Sequence, residues 1–258
     1  REKFPDVVLI ANAENVGFSV ANNQAIRISK GEYVLLLNPD TIVQEDTFQK
    51  TIEFMDLHSD AGGLGVKMID GNGIFLPESK RGLPTPIVAF YKIFGLSTLF
   101  PNSKTFGKYH LTYLDPNENH EVEVLSGAFM MLRRSALDKV GLLDETFFMY
   151  GEDIDLSYRI LQGGFKNYYF AKTTIVHYKG ESTKKNSLNY VMVFYNAMEI
   201  FFRKHFQNKL IGLFSVGVKF AIYFRAGLAI LTRFLKSITF PLIDALLVWL
   251  FFFLILPF

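Results

Sequence analysis

Tyr33-Val34-Leu35-Leu36-Leu37-Asn38-Pro39-Asp40 decides the fold of this chain. Five residues without a polar alternation describe a strand buried on both faces, and Asn38-Pro39-Asp40 stops it. Just upstream, Gly31 ends a helix that starts at about Ser19, in the manner of a C-terminal cap. Before that helix come a polar, glycine-containing turn, Asn12–Phe18, and a short apolar run, Val7–Ala11, which reads as a buried strand. Downstream, the spacing of Phe48, Ile52 and Met55 predicts a helix from about Glu45 to Leu57. A strand over Gly63–Ile69 and an Asp70-Gly71-Asn72-Gly73 hairpin turn follow.

Five of the nine prolines (Pro77, Pro84, Pro86, Pro101 and Pro116) then fall within residues 77–118, where loops with short helices are expected. Glu121–Val124 and Ala128–Arg133 read as strands, and Ser135–Val140 as a short helix. A further helix runs to Gln162 and is closed by Gly163-Gly164. Lys166–Phe170 and Thr174–His177 look extended, and residues 188–206 form an amphipathic, aromatic-rich helix. Buried strands alternating with helices predict an α/β domain with a mostly parallel sheet flanked by helices.

At 258 residues the chain can hold one large catalytic-sized domain or two small ones. It has no cysteine, which excludes disulfide frameworks, thiolate nucleophiles and cysteine-based zinc sites. The net charge of +2 hides an asymmetry. Seven of the 27 cations (Arg203, Lys204, Lys209, Lys219, Arg225, Arg233 and Lys236) lie in residues 200–240, which contain no acid. Residues 1–199 thus carry 20 cations against 24 acids, and the remainder, with Asp244 as its sole acid, is +6. Those cations stand among Phe, Leu, Ile and Val. Nucleic acid is a poor partner for such a tail, and a membrane surface is a better one.

On one helix over 210–236, Lys219, Arg225, Arg233 and Lys236 share a narrow face, so residues 207–237 are expected to lie in the membrane interface. Residues 238–258 are apolar apart from Thr239 and Asp244, and about 20 residues suffice to span a bilayer. They are read as a transmembrane helix, a buried core helix being the alternative. No signal peptide is visible, the first residue is Arg1, and the chain stops inside an apolar run. Both ends are expected to be internal to a longer polypeptide.

Gly151-Glu152-Asp153-Ile154-Asp155-Leu156-Ser157-Tyr158-Arg159-Ile160 sets three carboxylates in four positions within an apolar and aromatic frame. If a helix starts at Glu152, its acids lie at the positive end of the macrodipole and Asp155 can pair with Arg159 four positions on. An acidic helix cap and a catalytic cluster are both open from these residues alone. Asp40 follows a buried strand, where ligands bind in open α/β sheets. A carboxylate there can hold a hard cation that grips a diphosphate, or simply make a turn. His177 ends an apolar strand as a half-buried polar residue or part of such a site. Ser126-Gly127-Ala128 suits either close ligand approach or a bulge. Lys80-Arg81 could reach a phosphate or be a solvated loop pair.

The order of these elements is more specific than any one of them. Asn15-Val16-Gly17-Phe18-Ser19-Val20-Ala21-Asn22-Asn23, then Tyr33–Asp40, Ser126-Gly127-Ala128-Phe129, Gly151–Leu156 with Arg159, and finally His177 together resemble the family-2 inverting glycosyltransferases of the GT-A fold. Within them the chain looks most like the bacterial rhamnosyltransferase branch, over about residues 4–206. The resemblance implies a catalytic domain over 1–206 and a divalent cation, Mg²⁺ or Mn²⁺. It implies Asp153 as catalytic base, with Glu152 and Asp155 at the catalytic cluster to orient the loop, the acceptor or Arg159, and donor contacts from Asn15, Gly17, Asn22, Asn38 and Asp40. Ser126, Gly127 and Arg159 would stand on the acceptor side, and Asp40 and His177 would hold the metal. Asn38-Pro39-Asp40 replaces the family's Asp-x-Asp, which shifts the metal contact onto Asp40.

The implied reaction is metal-dependent transfer of one sugar, with inversion, from a nucleotide-diphosphate sugar to a lipid-linked or growing glycan acceptor. It would serve cell-surface polysaccharide synthesis at the cytoplasmic face of the bacterial inner membrane. Processive synthases of the family carry Gln-x-x-Arg-Trp, and the chain's one tryptophan, Trp249, is not in that context. Family members begin with a strand and an Asp-containing turn that precede the start of this chain, so roughly 50 upstream residues are expected. A catalytically impaired fragment or a membrane adaptor that keeps the fold is the alternative. A two-carboxylate hydrolase and a nucleotidyltransferase, for which no Gly-rich basic loop is found, are the other rivals.

Overall fold

The computed structural model describes residues 4–178 and 188–206, together with positions 235, 237–239, 241, 243–244 and 246–251. The chain divides into two units, 1–207 and 208–258. In the first, the elements run α1 (Phe18–Ile28), β1 (Tyr33–Leu37), β2 (Thr41–Ile42), α2 (Thr47–Leu57) and β3 (Ala61–Ile69). After the proline-rich segment with α3 (Pro86–Ile93) and α4 (Leu96–Leu99) come β4 (His120–Val122), β5 (Phe129–Arg133) and α5 (Arg134–Val140). Then follow α6 (Glu152–Gln162), β6 (Lys166–His177) and α7 (Leu188–His205).

The strands form one sheet in the order β1-β5-β3-β6-β2, with β4 also pairing with β6. Only β3 and β6 are parallel; β1–β5, β3–β5, β2–β6 and β4–β6 are antiparallel. The sheet is therefore mixed, and the expectation of a mostly parallel one is corrected. Two strands account for the difference: β5 lies between β1 and β3 and runs against both, while β6 runs against β2 and β4. A strand covered on both faces is apolar throughout whichever way it runs, so its composition carries no direction.

Alternation along the strands sends side chains into two apolar layers. Val34, Leu36, Met130 and Leu132 join Leu137, Leu156 and Ile160 on the face covered by α5 and α6. Leu64, Val66, Met68, Phe129 and Met131 join Phe54 and Met55 on the face covered by α2. At Gly63 a Cβ would stand 2.5 Å from Leu125 Cδ1, so the bare backbone lets the segment before β5 lie against β3. That segment is pinned further by Leu125 N donating to Ser157 Oγ at 3.1 Å, and by Asn167 Nδ2 donating to the carbonyls of Glu123 and Ser157.

Val7–Ala11 is corrected as well. It joins no strand among the described residues, and Val8 is 72% exposed. Its apolar run satisfies a strand pattern locally, but a strand also needs a hydrogen-bonded neighbour. Elsewhere the elements fall within a few residues of the sequence reading, except that Lys166–His177 is one strand. Between Phe170 and Thr174 three residues stand outside its pairing with β3, and one of them, Thr173, sets its Oγ1 2.8 Å from Thr47 Oγ1.

In the second unit, the interfacial helix expected over 207–237 lies almost wholly outside the described residues. Part of the span expected over 238–258 lies outside them too. Its described positions are helical, with Leu246, Leu247, Val248, Trp249 and Phe251 exposed. Among the described residues no helix is long and apolar enough to cross a membrane.

Candidate active site

The carboxyl end of β1, the loop before β5 and the first turn of α6 meet at one place. Asn38 N donates to Ala128 O at 3.0 Å, which sets Asn38-Pro39-Asp40 beside Ser126-Gly127-Ala128. A Cβ on Gly127 would stand 3.7 Å from Phe18 Cζ and 3.8 Å from Asp153 Cβ, so the glycine is the point where α1 and α6 converge. Ser126 Oγ accepts from Ala128 N at 3.4 Å, and its carbonyl from Phe129 N at 3.2 Å, which shapes this turn.

The turn before α1 closes the same corner. Asn15 Oδ1 accepts from Gly17 N at 3.0 Å, and Phe18 N donates to Phe148 O at 3.0 Å. Gly17 has φ +84° and ψ 168°, a conformation essentially restricted to glycine. A Cβ there would come within 2.7 Å of Phe148 O. Asn22 donates back to Phe18 O at 2.8 Å, along its own helix. Asn23, which had no predicted role, is buried and bridges Leu143 and Glu145.

Asp153 is held from two sides. Arg81 Nη2 donates to its Oδ2 at 2.5 Å and also to Leu125 O, while Ile154 N donates to its Oδ1 at 2.8 Å. Burial is the largest single influence and opposes the charge on Arg81, but Asp153, Tyr109 and Glu152 together hold the guanidinium above its ordinary value. Both side chains are mostly enclosed. Lys80-Arg81 is therefore neither a solvated pair nor a free phosphate ligand: Lys80 is 2% exposed and donates to Leu111 O at 2.6 Å. Arg81 is the side chain at this corner that the sequence reading undervalued. No local signal marks it, since Glu78, three positions before it, is the nearest acid in the chain.

Glu152 is 7% exposed, and its Oε2 is buried without a hydrogen bond. Burial, and then the neighbouring Asp153, push its carboxyl up to about 8, so it remains protonated at neutral pH. Asp155, expected to orient the loop, the acceptor or Arg159, is wholly enclosed. It accepts from Arg159 Nε at 2.8 Å and pairs with Lys204 Nζ at 2.9 Å and His205 Nε2 at 2.7 Å on α7. Arg159, expected on the acceptor side, donates from Nη1 to the carbonyls of Val140 and Gly141 and from Nη2 to that of Leu142, at the end of α5. Both spend their polar atoms fixing α6 in place.

Asp40 and His177, 137 positions apart in sequence, are brought together by the β2–β6 ladder. Thr41 pairs with His177, Tyr178 N donates to Asp40 O at 2.9 Å, and His177 Nε2 lies 3.3 Å from Asp40 Oδ1. That Oδ1 is buried without a hydrogen bond. A carboxylate oxygen left in this way beside an imidazole fits a divalent cation, which needs only one or two protein ligands when diphosphate and water complete its shell. Among the described residues no group of three or more His, Asp or Glu is placed to hold a metal by itself.

Residues 1–189 match the protein family described as glycosyltransferase-like family 2. Over 212 residues the chain is 28% identical to the N-acetylglucosaminyl-diphospho-decaprenol L-rhamnosyltransferase of Mycobacterium tuberculosis, covering 78% of this chain and 68% of that protein. It is 28% identical over 169 residues to the rhamnosyltransferase WbbL of Escherichia coli, covering 63% of this chain and 61% of the relative. Among solved structures, GalNAc-T7 with UDP, GalNAc and Mn²⁺ superposes with a TM-score of 0.46 at 17% identity, over 74% of this chain and 37% of that one. The chain thus spans about two thirds of the length of these curated relatives and much less of the solved neighbour.

Proposed function

The chain belongs to glycosyltransferase-like family 2, and from that premise we propose that it transfers a single sugar, with inversion, from a nucleotide-diphosphate sugar to a lipid-linked or growing glycan acceptor. The observation that carries this reading is the meeting of Asp153, held by Arg81, with the side-chain-free Gly127 beside the strand end that bears Asp40. Asp153 acts as the base: it takes the proton of an acceptor hydroxyl as that oxygen attacks the anomeric carbon and the nucleoside diphosphate departs. Gly127 leaves room for the acceptor to reach it. Arg81 fixes the carboxylate's direction, and Glu152, protonated and enclosed, adds no second negative charge beside it.

Asp40 and His177 would hold a Mg²⁺ or Mn²⁺ ion, which when bound offsets the charge of the departing diphosphate. Asn15, Gly17, Asn22 and Asn38 form the donor side, and Ser126 and Gly127 the acceptor side. The names of the relatives favour rhamnose as the sugar and a polyprenyl-diphosphate glycan as the acceptor, in the synthesis of a cell-surface polysaccharide. We place the work at the cytoplasmic face of a bacterial inner membrane, with 207–237 in the interface and 238–258 spanning. A two-carboxylate hydrolase is disfavoured, because Asp155 and Glu152 are too enclosed to flank a glycosidic bond with Asp153.

Calorimetric titration with a panel of nucleotide-diphosphate sugars, with and without Mn²⁺, tests the reading. One donor should bind more tightly with the ion, and Asp40→Ala should remove that gain. An unchanged affinity in the variant would rule out the metal role, and no binding of any donor would favour a membrane adaptor.

A further inference from the structure

Residues 79–114 contain no Asp or Glu but five cations, Lys80, Arg81, Lys92, Lys104 and Lys108. Within them α3 and α4 show two faces. Val88 is buried, and nearby Leu83, Tyr109 and Leu111 anchor the segment to the domain. The outward face is apolar. Ile87, Phe90 and Phe94 are exposed at i, i+3 and i+7, one stripe of a helix. Leu99, 70% exposed, and Phe100 extend it. Ring contacts make the patch continuous: Phe90 lies 4.4 Å from Phe94, Tyr91 lies 4.9 Å from Phe106, and Phe100 lies 5.4 Å from Phe106. Isolated exposed apolar residues are ordinary, whereas a contiguous patch marks a docking surface.

We propose that the α3–α4 face seats the catalytic unit on the headgroup layer of an anionic lipid bilayer. The charge pattern selects this occupant. Lys80 and Arg81 turn inward, but Lys92 and Lys104 are exposed on the same segment. No acid of the segment opposes an anionic surface, and Lys108 lies 3.9 Å from Glu123. Aromatic and aliphatic residues rimmed by lysine are the composition of an interfacial element, and α3 is too short to do more than lie in that layer. The same mixture of cations with Phe, Leu and Ile recurs at 200–240, so the catalytic unit would carry its own lipid contact in addition to the tail. Because Arg81 belongs to this segment and holds Asp153, docking here would bring the acid corner close to the bilayer surface. The lipid contact does not depend on the sugar-transfer reading.

The absence of cysteine permits a direct test. Leu99→Cys in the full chain, labelled with the environment-sensitive fluorophore NBD, is mixed with vesicles of phosphatidylglycerol and phosphatidylcholine. The label should shift to the blue and be quenched by brominated lipids. The same label on Lys30→Cys, at the far end of β1 from Asp40, should remain in water. Ile87→Cys gives a second reporter on the patch. The proposal is overturned if the protein sediments with vesicles while labels at 87 and 99 escape quenching, which would leave binding to the tail alone. It is equally overturned if the protein fails to sediment. A blue shift without vesicles that grows with protein concentration would assign the face to a second copy of the chain and also overturn it.

Discussion

Arg81 reaches across 72 positions of sequence to bond Asp153, and the same guanidinium nitrogen holds the carbonyl of Leu125. One planar group thus ties the first turn of α6 to the loop that precedes β5. A lysine has donors enough for both bonds, but its shorter, freely rotating ammonium does not hold them in the directions that a planar guanidinium fixes.

Asp153→Asn should reduce turnover by about 10²–10⁴-fold, the usual worth of a general base, while donor affinity by calorimetry holds. Arg81→Lys should lower kcat by a smaller factor and leave the donor KM nearly unchanged. Retained turnover in Asp153→Asn would remove it as the base, and an unaltered kcat in Arg81→Lys would remove the positioning role.

Asp155→Ala should destabilise the fold by about 3 kcal/mol, because it strands Arg159 and His205 in an enclosed site. Lys204, the third partner, reaches water and softens the loss. Urea denaturation monitored by circular dichroism measures the change. A shift below about 0.5 kcal/mol, the range of surface substitutions, would show that α7 does not rely on this carboxylate.

Glu152 sets a pH dependence of stability. Its carboxyl rises from an ordinary 4.5 to about 8 in the folded protein, through burial first and Asp153 second. Between those values the folded state holds a proton that the unfolded state has lost. Stability contributed by this group is therefore full below about 4.5, falls as pH climbs toward 8, and levels off above it. Glu152→Gln should flatten that decline in a series of urea midpoints from acid to alkaline pH. An identical slope in the variant would contradict the shift.

Gly17→Ala should cost about 1–3 kcal/mol, since alanine must adopt a conformation reserved for glycine and its Cβ collides with Phe148 O. In a thermal melt this corresponds to a fall on the order of 5 °C for a domain of this size. The turn carries Asn15, so donor affinity should fall with it. A variant with unchanged melting and affinity would mean that the loop yields at little cost.

The helices and strands were legible because local periodicity encodes them, and the Asp155–Arg159 pair because four positions make one helical face. The direction of the strands was not. Tyr33–Leu37 is apolar whether its neighbour runs with it or against it, and the antiparallel entry of β5 depends on how the chain returns from residues 77–118. Val7–Ala11 failed for a related reason: a strand is a relation between two segments, and its pattern describes only one. At the site, Asp40, Gly127, Asp153 and His177 stood out by chemistry and order. What stayed hidden were partners distant in sequence. Nothing near Arg81 indicates that its counter-charge lies beyond residue 150, and nothing near Asp155 announces Lys204 and His205.

The clamp on Asp155 has a mechanical corollary. Lys204 and His205 close α7, and residue 206 follows at once, so the polypeptide leaves its first unit from a point fastened two positions from Asp153. The carboxylate that fixes α6 thus also anchors the end of α7 from which the chain departs, with Asp144 as a second hold on Lys204.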